Sequence, residues 1–304
     1  MMHPLLALPI SIVFLLVIVG FGRKLLSLMR LDASSRAETS VFGLAIGLGV
    51  TAYAVLVVGL LRQLHSYVLL GLIAAMGIVS FGEIRTMLRE CVSGLRENSG
   101  STLNWADGLI ALSCAALCGL ALINVLAPPT SMDWDGLSYH LSDPKLYLSH
   151  NAVYYIHFTS HSNFPFLTEM LYTIGLSIGS TGVAKFFHFS MYIGTALALY
   201  ALCRRHMNPS VGKIAALLYM STPVVFYEAG IAYADLTMGF YILLAVHAML
   251  NWQETKAKSW LVLCSVMCGF ALGTKVFTAV PIVVICSIIL ASSGREGRWG
   301  KGLA

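Results

Sequence analysis

Charge is what this sequence has least of. Only 11% of its 304 residues are Asp, Glu, Lys or Arg, against 58% hydrophobic residues and a mean hydropathy of +0.80. A soluble globular domain carries roughly 25% charged residues. Too little polar surface is available to coat a water-soluble fold of this size, so the chain reads as an integral membrane protein. Short alternating segments are also lacking. The apolar residues come in runs of about 20, the length of a spanning helix and not of a barrel strand. The expected fold class is an all-α bundle embedded in the bilayer. Lys and Arg outnumber Asp and Glu by 19 to 14, but they sit in small clusters between apolar runs. That is the positive-inside pattern, and it excludes a nucleic-acid surface. The longest polar interval holds no cysteine. Cys114 with Cys118 and Cys264 with Cys268 are i,i+4 pairs in apolar segments without a companion His or acid, which favours packing over a metal site. No disulfide framework is implied.

Nine apolar runs are there instead: Leu5–Gly22, Val41–Leu61, Tyr67–Phe81, Trp105–Leu126, Val183–Leu202, Val211–Tyr227, Leu236–Leu250, Trp260–Leu272 and Val276–Ala291. Basic groups mark alternate ends of them: Arg23, Lys24 and Arg30; Arg85, Arg89 and Arg96; Arg204 and Arg205; Lys256 and Lys258; Arg295, Arg298 and Lys301. The positive-inside rule places these in the cytoplasm and the N-terminus outside. The first run precedes its basic group, which suits an uncleaved anchor better than a cleaved signal. Gly43 and Gly47 have the spacing of a close helix crossing. Residues 1–104 form a three-span extension, and 105–304 a membrane module with a long outer loop at 130–182. Three separated segments then reach one outer face: Asp133–Glu169, Glu228–Asp235 and Thr274–Lys275.

Within the long loop two short interfacial helices are expected. One starts near Asp135 and restarts at Asp143–Pro144. The other runs from Pro165 to Ile178, with Phe166, Met170, Leu171, Ile174 and Ile178 on one stripe, as in an amphipathic helix lying on the membrane surface. Charged groups in such a setting usually line a cavity and act there. Asp133 and Asp135 bracket Trp134, and Asp135 shares a helical face with Tyr139. Either carboxylate can act as a general base or ligate a hard divalent cation such as Mg or Mn, with Asp235 a further candidate ligand. The plainer reading of each is a helix cap. Lys145 and Lys275 can hold a phosphate as point charges. Lys145 equally suits a lysine snorkelling to lipid headgroups. Glu228 and Asp235 flank the second outer segment, and Asp235 also fits a cap. His140, His150, His157 and His161 lack the ligand spacing of a zinc site.

Several of these stretches resemble a known superfamily. Asp133-Trp134-Asp135-Gly136-Leu137-Ser138-Tyr139-His140-Leu141, then Pro144-Lys145-Leu146-Tyr147, then His161-Ser162-Asn163-Phe164-Pro165 with Glu169-Met170-Leu171-Tyr172, look like the first outer loop of GT-C glycosyltransferases. Within that superfamily they resemble bacterial members related to protein O-mannosyltransferases and the aminoarabinose transferase of lipid A. Tyr233-Ala234-Asp235-Leu236-Thr237 and Ala271-Leu272-Gly273-Thr274-Lys275 resemble two later motifs. The likeness covers about Trp105 to Ala291. It implies an inverting transferase in the bacterial inner membrane with its site facing the periplasm. The implied donor is a sugar on a polyprenyl phosphate, and the implied acceptor a lipid, glycan or protein. An acid of the first loop would be the catalytic base, which maps onto Asp135 or Asp133. Lys275 and Lys145 match the phosphate-holding residues. Tyr139, His140, His161, Asn163, Glu169, Glu228 and Asp235 complete the candidate substrate site. Gly136 stands where the family often has a second acid. The family's later spans and outer domain have no counterpart, so the chain reads as a short or fragmentary member. The competing class is a non-enzymatic transporter or lipid-binding subunit. A transporter is expected to place charges in mid-span and to show internal repeats, and no clear repeat is visible.

Overall fold

A computed structural model describes residues 3–29, 31, 33–98 and 104–299. Arg30 and Lys301 lie outside the described residues, as do the side chains of Arg96, Arg295 and Arg298. The described chain is helical, with no strand among the described residues. In order the helices are α1 (Pro4–Leu28), α2 (Arg36–Leu60), α3 (Ser66–Val79), α4 (Phe81–Asn98), α5 (Trp105–Leu126), α6 (Ser142–Ser149), α7 (Leu167–Ser177), α8 (Thr181–His206), α9 (Pro209–Ser221), α10 (Pro223–Glu228), α11 (Asp235–Thr255), α12 (Lys258–Thr274) and α13 (Ala279–Trp299). Start signals follow the local chemistry. Ser35, Asn104, Ser180 and Asn208 each cap a helix by accepting a backbone N–H from the first turn, and Pro209 and Pro223 occupy first-turn positions.

Four helices, α1, α2, α5 and α8, are long and apolar enough to cross a bilayer. They become five if α3 and α4 form one broken span, bent by 70°. Nine expected crossings therefore reduce to four or five of full spanning length. The third run breaks at Ser80. The sixth is split by Pro223 into α9, of 13 residues, and α10, of 6 residues. The eighth yields only the 17 residues of α12.

The bundle has two polar ends. At one, Arg23 of α1 pairs with Glu90 of α4 at 2.9 Å, Lys213 of α9 with Asp107 of α5 at 2.7 Å, and Arg205 of α8 with Glu38 of α2 at 3.1 Å and Glu254 of α11 at 2.8 Å. At the other, α11 begins beside the end of α12, where Lys275 binds Asp235. The 21 residues of α11 join these ends, a rise of about 31 Å and hence about one hydrocarbon core.

Between the ends lies one continuous core. Ile18, Phe42, Leu48, Tyr172, Tyr192, Phe240, Tyr241 and Trp260 belong to it, so α1 and α2 share it with α7, α8, α11 and α12. Phe42 meets Trp260 edge-on at 5.5 Å, and the Tyr241 hydroxyl donates to the Ala45 carbonyl at 3.1 Å. Lipid tails are as apolar as these side chains, so close packing holds such helices together, and small residues permit it. The Gly43–Gly47 pair does this against α1. A Cβ on Gly47 would lie 2.1 Å from the Ile18 carbonyl oxygen.

One expectation about the outer loop is corrected. The helix read as lying on the membrane surface, α7, is enclosed by protein: every residue from Leu167 to Gly175 is buried. It packs against α2, α6 and α8. Its polar side is buried along with its apolar stripe because Thr173 returns its hydroxyl to the Glu169 carbonyl at 2.8 Å and Glu169 pairs with His140.

Gly47→Ala is expected to push α1 from α2 and to cost about 1–3 kcal/mol, seen as a lower thermal midpoint in detergent. An unchanged midpoint would show that this crossing does not hold the bundle. Cysteines placed at exposed Ser138 and at Phe277, which is 82% exposed, are expected to react with an impermeant maleimide from one side of the membrane. Native Cys91, exposed on α4 beside Glu90, is expected to react from the other. Labelling of all three from the same side contradicts the two-ended arrangement.

Candidate functional site

A cavity of about 260 Å³ opens at the end where α11 begins. Its wall brings together Tyr139 and His140 of the first outer segment, Phe164, Pro165, Phe166 and Glu169 further along that segment, Ala234 of the second, and Thr274, Lys275, Val276 and Phe277 of the third. The three separated segments thus meet at one place, as expected from the sequence. A second cavity of about 260 Å³ shares Phe164, Pro165 and Phe166 with the first. It continues along Ala52, Tyr53, Leu56, Val153, Leu167 and Met170, which are nearly all apolar.

The first segment is shaped by a wide π-type turn, Gly136–His140, that leads almost directly into α6. Gly136 lies beside Ala232: a Cβ there would meet the Ala232 carbonyl oxygen at 3.4 Å, an ordinary contact. The turn aims Tyr139 and His140 inward, and both are buried. Tyr139 stacks on His161 at 4.3 Å and lies against His140 at 4.1 Å. Its hydroxyl donates to Asp135 Oδ2 at 3.3 Å. Burial first, then the charges of Asp135 and Glu169, push the Tyr139 phenol far above its ordinary range. It therefore stays a proton-bearing donor at any physiological pH. His140 Nδ1 donates to Glu169 Oε1, both side chains being buried. His140 Nε2 and Glu169 Oε2 are buried without a protein partner. Asp143, also buried in α6, has its carboxyl raised chiefly by desolvation, with Glu169 adding to the rise and His161 opposing it.

The second and third segments are joined by one ion pair. Lys275 Nζ donates to both Asp235 oxygens at 2.8 Å. Asp235 opens α11 but does not cap it; Ala234 holds the cap position without a side-chain bond. An ammonium has three N–H donors, so Lys275 keeps one for the cavity it lines. Glu228 stands nearby at the end of α10. Burial, then repulsion from Asp235, raises its carboxyl to about 7, and Lys275 pulls the other way.

The remaining candidates divide. Asp133 is buried, and its carboxylate accepts the Thr130 N–H at 2.9 Å, a turn-capping role. Asp135 is half-buried, takes the Tyr139 hydroxyl, and sits one hydrogen bond from the cavity wall. Lys145 is exposed on α6 and Asn163 is exposed with its amide donating to the Ser160 carbonyl; neither lines the cavity. Lys145 faces outward because α6 turns Asp143, Pro144 and Tyr147 into the protein. Asp133, Asp135 and Asp235 have three different partners. Among the described residues no three His, Cys, Asp or Glu side chains gather to hold a metal ion.

Four residues that position the site were not among its sequence candidates: Tyr172 and Tyr233 stand inside the motif-like stretches, Lys185 and His188 outside them. The Tyr233 hydroxyl accepts the Asp135 N–H at 3.4 Å, and its carbonyl accepts the buried Tyr172 hydroxyl. Lys185, 1% exposed, donates to the Asn124 and Ala127 carbonyls at 2.6 and 2.7 Å and so closes the end of α5. His188, fully buried, donates Nδ1–H to the Glu228 and Ile231 carbonyls and accepts the Leu236 N–H on Nε2. That clamp fixes the loop that delivers Asp235. A Lys and a His three apart inside an apolar run are costly at membrane depth, and that cost was the available signal for both.

Residues 163–303 match the family model described as dolichyl-phosphate-mannose-protein mannosyltransferase. No curated protein and no solved structure matches the chain significantly.

Glu228 has a folded pKa of about 7 against an ordinary 4.5. The folded state therefore binds this proton more tightly than the unfolded state, and the carboxylate is a penalty that is absent below about pH 4.5 and complete above about pH 7. Glu228→Gln is expected to raise the thermal midpoint relative to the parent at pH 8 and to lose that advantage at pH 4.5. The gain is at most about 3 kcal/mol before solvent screening. Equal differences at both pH values would show that Glu228 is not strained.

Proposed function

We propose that this chain is a GT-C glycosyltransferase, a reading supported by its match over residues 163–303, and that it moves a sugar from a polyprenyl-phosphate donor to an acceptor hydroxyl or amine at the extracytoplasmic face of the membrane. The observation that carries this reading is the cavity where Glu169, aromatic rings and a lysine ammonium meet beside an apolar groove, with Asp135 one hydrogen bond behind Tyr139 of its wall. A lipid-linked sugar phosphate has those three parts. Its tail lies in the groove of Tyr53, Leu56 and Met170. Its sugar rests against Tyr139, Phe164 and Phe166. Its phosphate takes the free N–H of Lys275, whose position Asp235 holds. The acceptor enters from the side of Asp135, which removes its proton. The Tyr139 hydroxyl, kept protonated by burial, fixes the orientation of that carboxylate. Asp133, turned to the backbone of Thr130, maintains the loop that presents Asp135.

General-base removal is worth about 10²–10⁴ in rate. Asp135→Asn is expected to lower kcat by that order with a radiolabelled polyprenyl-phosphate sugar as donor, while Asp133→Asn loses thermal stability first. Lys275→Gln is expected to raise the donor KM about tenfold, the loss of one charge-assisted hydrogen bond. Full transfer activity in both Asp135→Asn and Asp133→Asn ends this mechanism.

A further inference from the structure

Resting on the transferase reading above, we infer that His140, held by Glu169, is the group that meets the departing phosphate and hands it a proton. The two side chains are 1% and 2% exposed, and His140 Nδ1 is committed to Glu169 Oε1. Both residues line the cavity that also holds Lys275. Both are left incomplete by the protein, since His140 Nε2 and Glu169 Oε2 are buried with no partner. An unmade bond at a buried polar atom is unfavourable, so a ligand that completes it gains what the fold has left open. With Nδ1 fixed by a carboxylate, the ring can turn only Nε2 to a ligand.

The charged and titratable groups around His140 come from every neighbouring element. They are Glu169 of α7, Asp143 of α6, His188 of α8, Tyr233 ahead of α11, and Tyr139 on its own turn, with Lys275 across the cavity. A histidine ring can carry a proton on Nε2 and release it, and an oxygen of a departing phosphate can take it.

The step balances. The bond from sugar C1 to the phosphate oxygen breaks, and its electron pair goes to that oxygen. The acceptor oxygen or nitrogen forms its bond to C1 and gives its proton to Asp135. The departing lipid phosphate, which would leave as a dianion, takes the Nε2 proton and leaves as a monoanion with neutral His140 behind it. Lys275 supplies fixed positive charge to the same phosphate throughout. His140 and Asp135 thus carry the two separate proton transfers of one displacement.

The test uses the full chain in detergent and farnesyl phosphate, a short polyprenyl monophosphate, as probe. Binding is followed by calorimetry and by the phosphorus NMR shift of the bound probe across pH 5–8. The parent protein is expected to bind the probe with a phosphorus titration displaced from that of the free phosphate. His140→Asn keeps an amide for Glu169 but lacks Nε2. It is expected to bind about tenfold more weakly, the loss of one hydrogen bond to a charged group. His140→Gln still reaches the cavity with an N–H but has no proton to give, so it is expected to bind nearly as well while the titration moves back toward that of the free phosphate, keeping only the displacement due to Lys275. A thermal melt of each variant shows whether it is folded, and a folded His140→Gln suffices if His140→Asn is not. Parental binding and an unchanged phosphorus titration in the folded variants overturn the role of His140 and leave the donor class standing. Failure of the folded parent to bind the probe overturns the donor class and this inference together.

Discussion

Lys275 and Asp235 are forty residues apart in the chain and 2.8 Å apart in space, and the arrangement of the candidate site depends on that contact. It locks the first residue of α11 to the residue just past the end of α12, at the same end of the bundle. At the far end α11 is secured again, where Arg205 reaches both Glu254 and the fully buried Glu38. Asn251 and His247 of the same helix also face Glu38, at 2.7 and 3.0 Å. A charge that leaves water is costly unless it is paired and hydrogen-bonded. The positions of α2, α8, α11 and α12 are therefore coupled, because moving any one of them would strand a charge.

That frame explains why the cavity wall can be built from irregular backbone. Non-helical segments at membrane depth are tolerated where protein satisfies their polar groups. The loop before α11 meets this condition through His188, and the end of α5 through Lys185. Lys185 and His188, on one helix, are both spent on backbone carbonyls. Their effect is to hold the Tyr233–Asp235 segment against the π-type turn that carries Tyr139 and His140.

The two neighbouring cavities share Phe164, Pro165 and Phe166. One carries His140, Glu169 and Lys275, the other Ala52, Leu56, Leu167 and Met170 with Tyr53 and Tyr147. α2 belongs to the part of the chain before the matched residues 163–303, yet it contributes Ala52, Tyr53 and Leu56 to the groove. The helices that precede the matched segment are thus part of the site's architecture as well as of the core.

Much of this was legible in the amino-acid sequence. Low charge and long apolar runs determine a helical membrane protein, because unpaired backbone groups and free charges are excluded from lipid. The basic clusters foretell which helix ends share a side, and the three polar segments that meet at the cavity follow from that alternation. Short-range chemistry also survives in the structure: the Asp135–Tyr139 pair four residues apart and the Gly43–Gly47 crossing. What the linear pattern leaves open is which polar groups face each other, since that depends on helix rotation and on loops packed from several directions. Only the tertiary structure decides that α7 is enclosed, that Lys145 points away while Lys275 is held by Asp235, that Asp133 caps a turn, and that His140 and Glu169 pair across 29 residues. Local periodicity determines the faces of one helix, whereas partnership between buried charges is a property of the whole bundle, settled where desolvation leaves each of them a single low-energy neighbour.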